Sequence, residues 1–428
     1  MLVQMKPRRC EPSLIAVGKI RLEYLNGLRG LAALIVVFHH FAYVFLVFAT
    51  RGAGANHFAI ERTIYTTPLQ LLVAGNFAVC IFFILSGYVL SYAFFQTGNT
   101  AAVRKAAVKR YFRLMPPILG SVLLAWAIIR FGLNFSDPAA AISGSSWLAN
   151  FWPRTVSLGE AVYYGAYGIL VGNSEPGVLN NALWTMKVEF LGSMLVFAFL
   201  ALFGKLRLRW LVYLVLMVAS WNSYYLAFVL GIALCDVTSR SWSPKELAWP
   251  ITAGLALAGL GLGAAPIPGA TSTIYSALGW QGADPNVVFI LTHIVGAALL
   301  LGAVLYSPAL KTVFASRPLR YLGRVSFSMY LLHLLVLGTI SSYMFAALNV
   351  SHGYAFSLGV TGAAYLVIVV IAADIYTRHV DEPSMRLAGW VQRKIMSPRK
   401  SASKPVAEPK PYREPAMIGA SRVHADNL

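Results

Sequence analysis

The chain has 428 residues, 58% of them hydrophobic and only 12% charged, about half the charged share of a soluble surface. Apolar runs recur through most of the length, which excludes a soluble globular fold and a β-barrel with short alternating segments, and leaves an all-α polytopic membrane protein. The net charge of +19 falls in short segments between those runs, where it reads as a topology signal and an attraction to anionic headgroups, so no nucleic-acid partner is expected.

The first apolar run follows YLNGLRGLAALIVVFHHF, Tyr24 to Phe41, with no small-residue cleavage site close behind it. It is expected to be a retained first span rather than a signal peptide. Residues 1–21 form a separate N-terminal segment before it. Arg29 and His40 are eleven residues apart, which on an α-helix is ~16 Å of rise with only ~20° of angular drift. They share one face, with a cation at one end and an imidazole well into the membrane. His39 points ~100° away from His40. A neutral imidazole at His40 can take a proton from a hydroxyl and return one to a leaving group; the alternative is a packed histidine hydrogen-bonded to a neighbouring helix, and for His39 that alternative is preferred.

Ten spans are predicted, at 28–48, 71–95, 111–129, 182–204, 208–220, 224–235, 248–263, 287–306, 325–346 and 355–376. The second carries FFILSGYVLSY, where Ser86 and Gly87 permit close helix contact and Ser86 is a candidate lining group. Between the second and third spans, RKAAVKRYFR places Arg110 and Arg113 at i,i+3, near one another on a helix. They read either as positive-inside anchors or as a clamp for a phosphate-bearing donor such as acyl-CoA. Pro116 and Pro117 follow and are expected to disturb the early helix. Asn134-Phe135-Ser136 is a glycosylation sequon in the large loop 130–181. Within that loop the 16 residues 157–172 hold four glycines and Glu160, so a re-entrant or interfacial segment is expected.

Glu189 enters the apolar run after Asn180-Asn181-Ala182-Leu183-Trp184, where a carboxylate needs a partner or a proton. It is left to orient His40, to bind acceptor hydroxyls or to tie helices together. The ninth span begins RVSFSMYLLH and offers His333 as a second lining group or a core hydrogen-bonding residue. Cys10, Cys80 and Cys235 have no metal or redox spacing and read as apolar fillers; no metal site is expected. Lys and Arg concentrate on one side: six in residues 1–29, five in 104–113, three in 205–209 and four in 307–324, against a sparse 49–70 and 264–286. Both termini are therefore expected in the cytosol. Residues 377–428, with ten basic and five acidic residues, are expected to be a disordered basic cytosolic tail. No internal repeat is evident, which weakens an inverted-repeat transporter reading, the rival from another functional class.

YLNGLRGLAALIVVFHH, FFILSGYVLSY, KRYFRLMPP, LWTMKVEF and YLGRVSFSMYLLHLLVL, taken in order, resemble the membrane-bound acyltransferase 3 family, most like its fungal members, over about residues 22–376. The resemblance implies a ten-span fold and transfer of an acyl group, acetyl first of all, from acyl-CoA to a hydroxyl of a sugar, glycan or small-molecule natural product. It implies His40 as general base with Glu189 as a second catalytic residue, donor binding by Arg29, Arg110 and Arg113, and His39, His333 and Ser86 as lining groups. Acyl-CoA, acetyl-CoA above all, is implied as co-substrate, with no permanently bound cofactor. Secondary metabolism and an endomembrane or plasma-membrane location follow by the same route. Asn26 stands where the family usually has aspartate, and Thr185-Met186-Lys187 replaces a serine-rich version of the glutamate motif. The polar tail is too short for the soluble esterase-like domain of many bacterial relatives.

Overall fold

A computed structural model describes residues 22–152, 155–172, 179–268, 272–279 and 282–396. The N-terminal segment 1–21, with Cys10, and tail residues 397–428 lie outside the described residues. Among the described residues the fold is all helical, with no strand. The main helices are α1 (Glu23–Phe45), α2 (Gly75–Thr97), α3 (Thr100–Arg130), α4 (Trp184–Leu202), α5 (Arg209–Ala219), α6 (Tyr225–Thr238), α7 (Trp249–Gly263), α8 (Pro285–Tyr306), α9 (Arg317–Val336), α10 (Ser342–Tyr376) and α11 (Glu382–Met396). Six helical runs among the described residues are long and apolar enough to cross a membrane, the last being Arg317–Met396, which is interrupted at Gly353; α5, α6 and α7 are shorter apolar helices.

α2 is the hub. It is apolar on every side, as a fully surrounded helix must be, and it packs against α1, α4, α6 and α8. Gly87 on α2 and Gly231 on α6 let the two backbones touch: a Cβ on Gly87 would lie 2.4 Å from the Phe228 carbonyl oxygen, and one on Gly231 would lie 2.3 Å from that of Ile84. α2 stops at Gly98, whose φ of 65° suits a residue without Cβ. Asn99 then caps α3 through the N–H groups of Ala101 and Ala102.

α1 and α9 lie side by side along most of their lengths and run parallel. The run after α9 reverses direction. A π turn at Leu337–Ser341 leads into α10, which contains Gly353 at φ 73°. Beyond it, the Tyr365 hydroxyl reaches the His333 carbonyl at 3.4 Å and Thr377 Oγ1 lies 2.7 Å from Ser328 Oγ, so the descending half pairs antiparallel with α9. Glu23, at the start of α1, pairs with Arg320 at 2.5 Å, and Glu382, at the start of α11, pairs with Arg324 at 3.2 Å. The first and last described helices therefore begin at one face of the bundle, called here the basic face.

Two local expectations differ from the structure. Pro116 and Pro117 lie inside an unbroken α3. Pro117 leaves the Arg113 carbonyl without its helical donor, and that carbonyl faces the Ser384 hydroxyl of α11 at 3.5 Å; the Pro117 carbonyl itself accepts the Tyr376 hydroxyl at 2.6 Å. Ser384 thus stands beside the carbonyl that Pro117 frees, and Tyr376 anchors the same turn of α3. Residues 377–396, assigned from sequence to the tail, are helical: a second π turn over Thr377–Asp381 continues into α11, which packs on α3. The Asn134 sequon is folded into a tight turn, with Asn134 Oδ1 accepting the N–H of Ser136 at 3.0 Å and its hydroxyl at 2.7 Å.

Segment 157–172 runs down the side of α3. Trp126 donates to the Val156 carbonyl at 3.0 Å and Tyr111 to that of Ala166 at 2.6 Å. Those two α3 residues are ~22 Å apart along the helix, so the segment accompanies α3 over about three quarters of a ~30 Å hydrocarbon thickness. Glu160 is accommodated as a cap of the short helix Leu158–Tyr163; the Ser157 hydroxyl and N–H hold its carboxyl below the usual range.

Candidate active site

α1, α2, α3, α4 and α9 enclose a cavity of about 290 Å³ toward the basic face. Arg29, Ser86, Arg110, Arg113 and Glu189, from four different helices, all line it, joined by Thr185, Arg324, Tyr330 and Asp381. Four arginines against two carboxylates make the lining positive.

Two of the three arginines with an expected donor-binding role already hold carboxylates. Arg110 on α3 pairs with Glu189 on α4, and its Nε donates to Ser193 Oγ at 2.8 Å. The same Glu189 oxygen accepts the Ser86 hydroxyl from α2 at 2.6 Å. One carboxylate thus joins three helices, and no described contact links it to His40. Lys187, two residues earlier, faces away and donates to the Gly172 carbonyl at 3.1 Å. Arg113 grips Asp381 with both nitrogens of its fork and stacks over Phe327 at 5.3 Å. Arg324 at the rim is offset by Glu382 and, at 3.8 Å, Asp374. Arg29 makes no hydrogen bond or ion pair among the described residues and sits within electrostatic reach of Glu189, Arg110 and Arg113. It is the lining arginine with no carboxylate on its guanidinium.

The inner end of the cavity is Tyr330. Its hydroxyl is 2.8 Å from Thr185 Oγ1, and both hydroxyls reach the Ala182 carbonyl, at 3.2 and 2.9 Å. Phe82 meets the Tyr330 ring edge-on at 5.9 Å. His333 lies one turn further along α9, ~4.5 Å of rise, and its ring centroid is 5.7 Å from that of Tyr330.

The histidines form a second cluster beyond this floor. His40 Nδ1 is 2.9 Å from the Val36 carbonyl and 3.2 Å from His333 Nε2. The two rings are 4.8 Å apart, and Trp147 from the loop helix Ser146–Ala149 approaches His40 at 6.0 Å. His333 is fully buried, whereas His40 is partly exposed. His39 donates to the Val73 carbonyl at 2.6 Å, and its ring lies against Gly75, where a Cβ would come within 2.5 Å of it. The structure therefore gathers Arg29, Ser86, Arg110, Arg113 and Glu189 in one chamber and sets His39, His40 and His333 beyond its floor.

Sequence reasoning passed over Asp381, Tyr330, Thr185 and His293. Asp381 was signalled only by an acid directly after the last apolar run. His293 closes a chain in which Tyr224 donates to Asn76 Oδ1 at 2.6 Å, Asn76 Nδ2 meets His293 Nδ1 at 2.7 Å and His293 Nε2 meets the Ala265 carbonyl at 3.0 Å. Both its nitrogens are used, so it stiffens the bundle rather than offering a ligand. Among the described residues no group of three or more His, Cys, Asp or Glu is placed to hold a metal.

A family model described as an acyltransferase domain matches residues 22–377. The chain is 25% identical to the O-acetyltransferase PaAT-1 of Phomopsis amygdali over 87% of its own length and 85% of that protein's. It is 26% identical to the acyltransferase MdmB of Streptomyces mycarofaciens, covering 86% and 93% of the two chains, and 21% identical to the acyltransferase clz18 of Cochliobolus lunatus, covering 84% and 93%. No solved structure matches.

Proposed function

This chain belongs to the acyltransferase 3 family and is a membrane O-acyltransferase; we propose that its donor is acyl-CoA, its acceptor a hydroxyl of a sugar or small-molecule natural product, and its general base His40. The observation that carries this reading is α1 itself. One unbroken helix bears Arg29, the uncommitted cation of the positive chamber, and His40, the partly exposed imidazole ~16 Å beyond it. An acyl-pantetheine arm is long and thin, so a donor held by its phosphates at Arg29 points its thioester along the helix toward His40, and the Tyr330, Thr185 and Phe82 side chains between the cavity and His40 must move aside for it to arrive. The O-acetyltransferase name of PaAT-1 favours acetyl as the group transferred.

In the proposed step the acceptor O–H gives its proton to His40 as its oxygen forms a bond to the thioester carbonyl carbon. Collapse of the adduct breaks the C–S bond, and the His40 imidazolium returns the proton to the departing thiolate. The acceptor leaves as an ester and the donor as free thiol. Arg29 supplies a charge-assisted contact to phosphate, and Arg110 and Arg113 extend that positive field while anchored by Glu189 and Asp381. Glu189, expected from the resemblance to act in catalysis, serves in this reading by fixing Arg110 and Ser86 in the chamber wall. The basic face is the cytosolic one, where acyl-CoA is supplied.

His40→Ala should lower acyl transfer from labelled acyl-CoA by about 10²–10⁴-fold, with elution and melting of the purified protein unchanged. Turnover within a few-fold of wild type in that variant sinks the base assignment.

A further inference from the structure

We propose that His333 is the positioning residue for His40: its Nε2 accepts the Nδ1–H of His40, leaving Nε2 of His40 as the bare, basic nitrogen. This rests on His40 as the base. The hydrogen-bond partners fix both tautomers. Nδ1 of His333 lies 3.2 Å from the Met329 carbonyl, which can only accept, so the ring proton is on Nδ1 and Nε2 carries the lone pair. Nδ1 of His40 lies 2.9 Å from the Val36 carbonyl and must carry its proton for the same reason. That proton therefore faces two acceptors, the carbonyl and, at 3.2 Å, the His333 lone pair.

The pairing is set by the backbone. Ten residues before the two histidines, α1 and α9 meet at Gly30 and Gly323. A Cβ on Gly30 would lie 2.4 Å from the Gly323 nitrogen, and one on Gly323 would lie 2.1 Å from the Asn26 carbonyl oxygen. Equal offsets on two parallel helices carry that contact forward to His40 and His333, ~15 Å on. Among the described residues no carboxylate bonds to either ring. When the acceptor's proton reaches Nε2 of His40, the Nδ1–H bond to His333 becomes charge-assisted and strengthens. An orienting carboxylate would do the same work at the cost of desolvating a second charge. A neutral imidazole acceptor avoids that cost.

The test compares His333→Met, which keeps bulk and loses the acceptor, with His333→Gln, whose amide oxygen can still meet Nδ1–H. His333→Met should lower kcat by about 30–100-fold with the donor KM within about 2-fold, since the interaction matters most as His40 becomes charged. His333→Gln should recover to within about 5-fold of wild type. A His333→Met kcat within about 3-fold of wild type overturns the proposal, as does a His333→Gln enzyme no better than His333→Met, which would make the residue packing alone. Should His333→Met fail to accumulate, His333→Asn, a methylene too short to reach His40, takes its place with the same expectation. His40→Ala separates the two levels: an active His40→Ala enzyme removes the base itself, whereas an inactive one beside a fully active His333→Met removes only the positioning role.

Discussion

Glu189 and Arg110 lie largely buried among α2, α3 and α4, and each is the other's charge partner. Removing one partner of such a pair strands the second charge, which costs roughly 3–5 kcal/mol, whereas replacing both with apolar groups of similar volume is close to neutral. Glu189→Ala should therefore lower thermal stability in detergent by about that amount, and the double variant Arg110→Met/Glu189→Leu should recover most of it. A double variant as unstable as the single would show that shape, not charge compensation, keeps the pair. Arg29, which makes no hydrogen bond or ion pair among the described residues, should behave differently. Arg29→Ala should leave the melting temperature unchanged and raise the donor KM about 10-fold or more, the worth of one charge-assisted contact; an unchanged KM would return Arg29 to a topological role. The relation of Arg29 to His40 was legible in sequence because one helix carries both. The partners of Arg110 and Arg113 were not, since they lie 79 and 268 residues away and no spacing rule reaches across separate helices.

At the level of helices, apolar runs announced nearly every element, because burial on all sides or against lipid leaves little else to write in the sequence. Their interruptions were legible unevenly. Pro116-Pro117 reads as a disturbance of the early helix, yet α3 continues through it, with the Ser384 hydroxyl beside the carbonyl that Pro117 frees. The reversal at Gly353 was legible, since it falls between the ninth and tenth predicted spans. The parallel contact of α1 with α9 was hidden, since Gly30 and Gly323 look like ordinary glycines of apolar helices. Their closeness predicts that Gly323→Val, whose Cβ alone would lie 2.1 Å from a backbone oxygen, will force the two helices apart and sharply reduce the yield of folded protein. Gly389→Ala on α11 is the matched control: its nearest neighbour would be an Arg393 nitrogen at 3.7 Å, and it should change stability by less than about 1 kcal/mol. Equal yields for the two variants would mean that α1 and α9 can slide.

For the molecule as a whole, the stretch after the last apolar run is part of the site rather than an appendage. Asp381 lies at the π turn that joins α10 to α11, is almost fully buried, and neutralises Arg113 in the chamber wall. Asp374 and Glu382 offset Arg324 at the rim, and α11 lies along α3 with Ser384 and Ala388 buried against it. Composition hid this, because a basic, proline-containing stretch reads as tail from its average while Asp381 and the α11 face act as individuals. Two truncations discriminate. A chain ending at Met396 keeps every described contact and should retain wild-type melting and donor KM. A chain ending at Tyr376 loses α11 and strands Arg113 without Asp381, so it should melt earlier by an amount equivalent to roughly 3–5 kcal/mol or fail to accumulate. Asp381→Asn isolates the charge from the helix. It leaves α11 in place and frees Arg113 to meet a phosphate, so the donor should bind more tightly even as the protein becomes less stable. If Asp381→Asn instead weakens donor binding, Asp381 holds Arg113 in the orientation the donor needs, and the ion pair is part of the binding surface rather than its competitor.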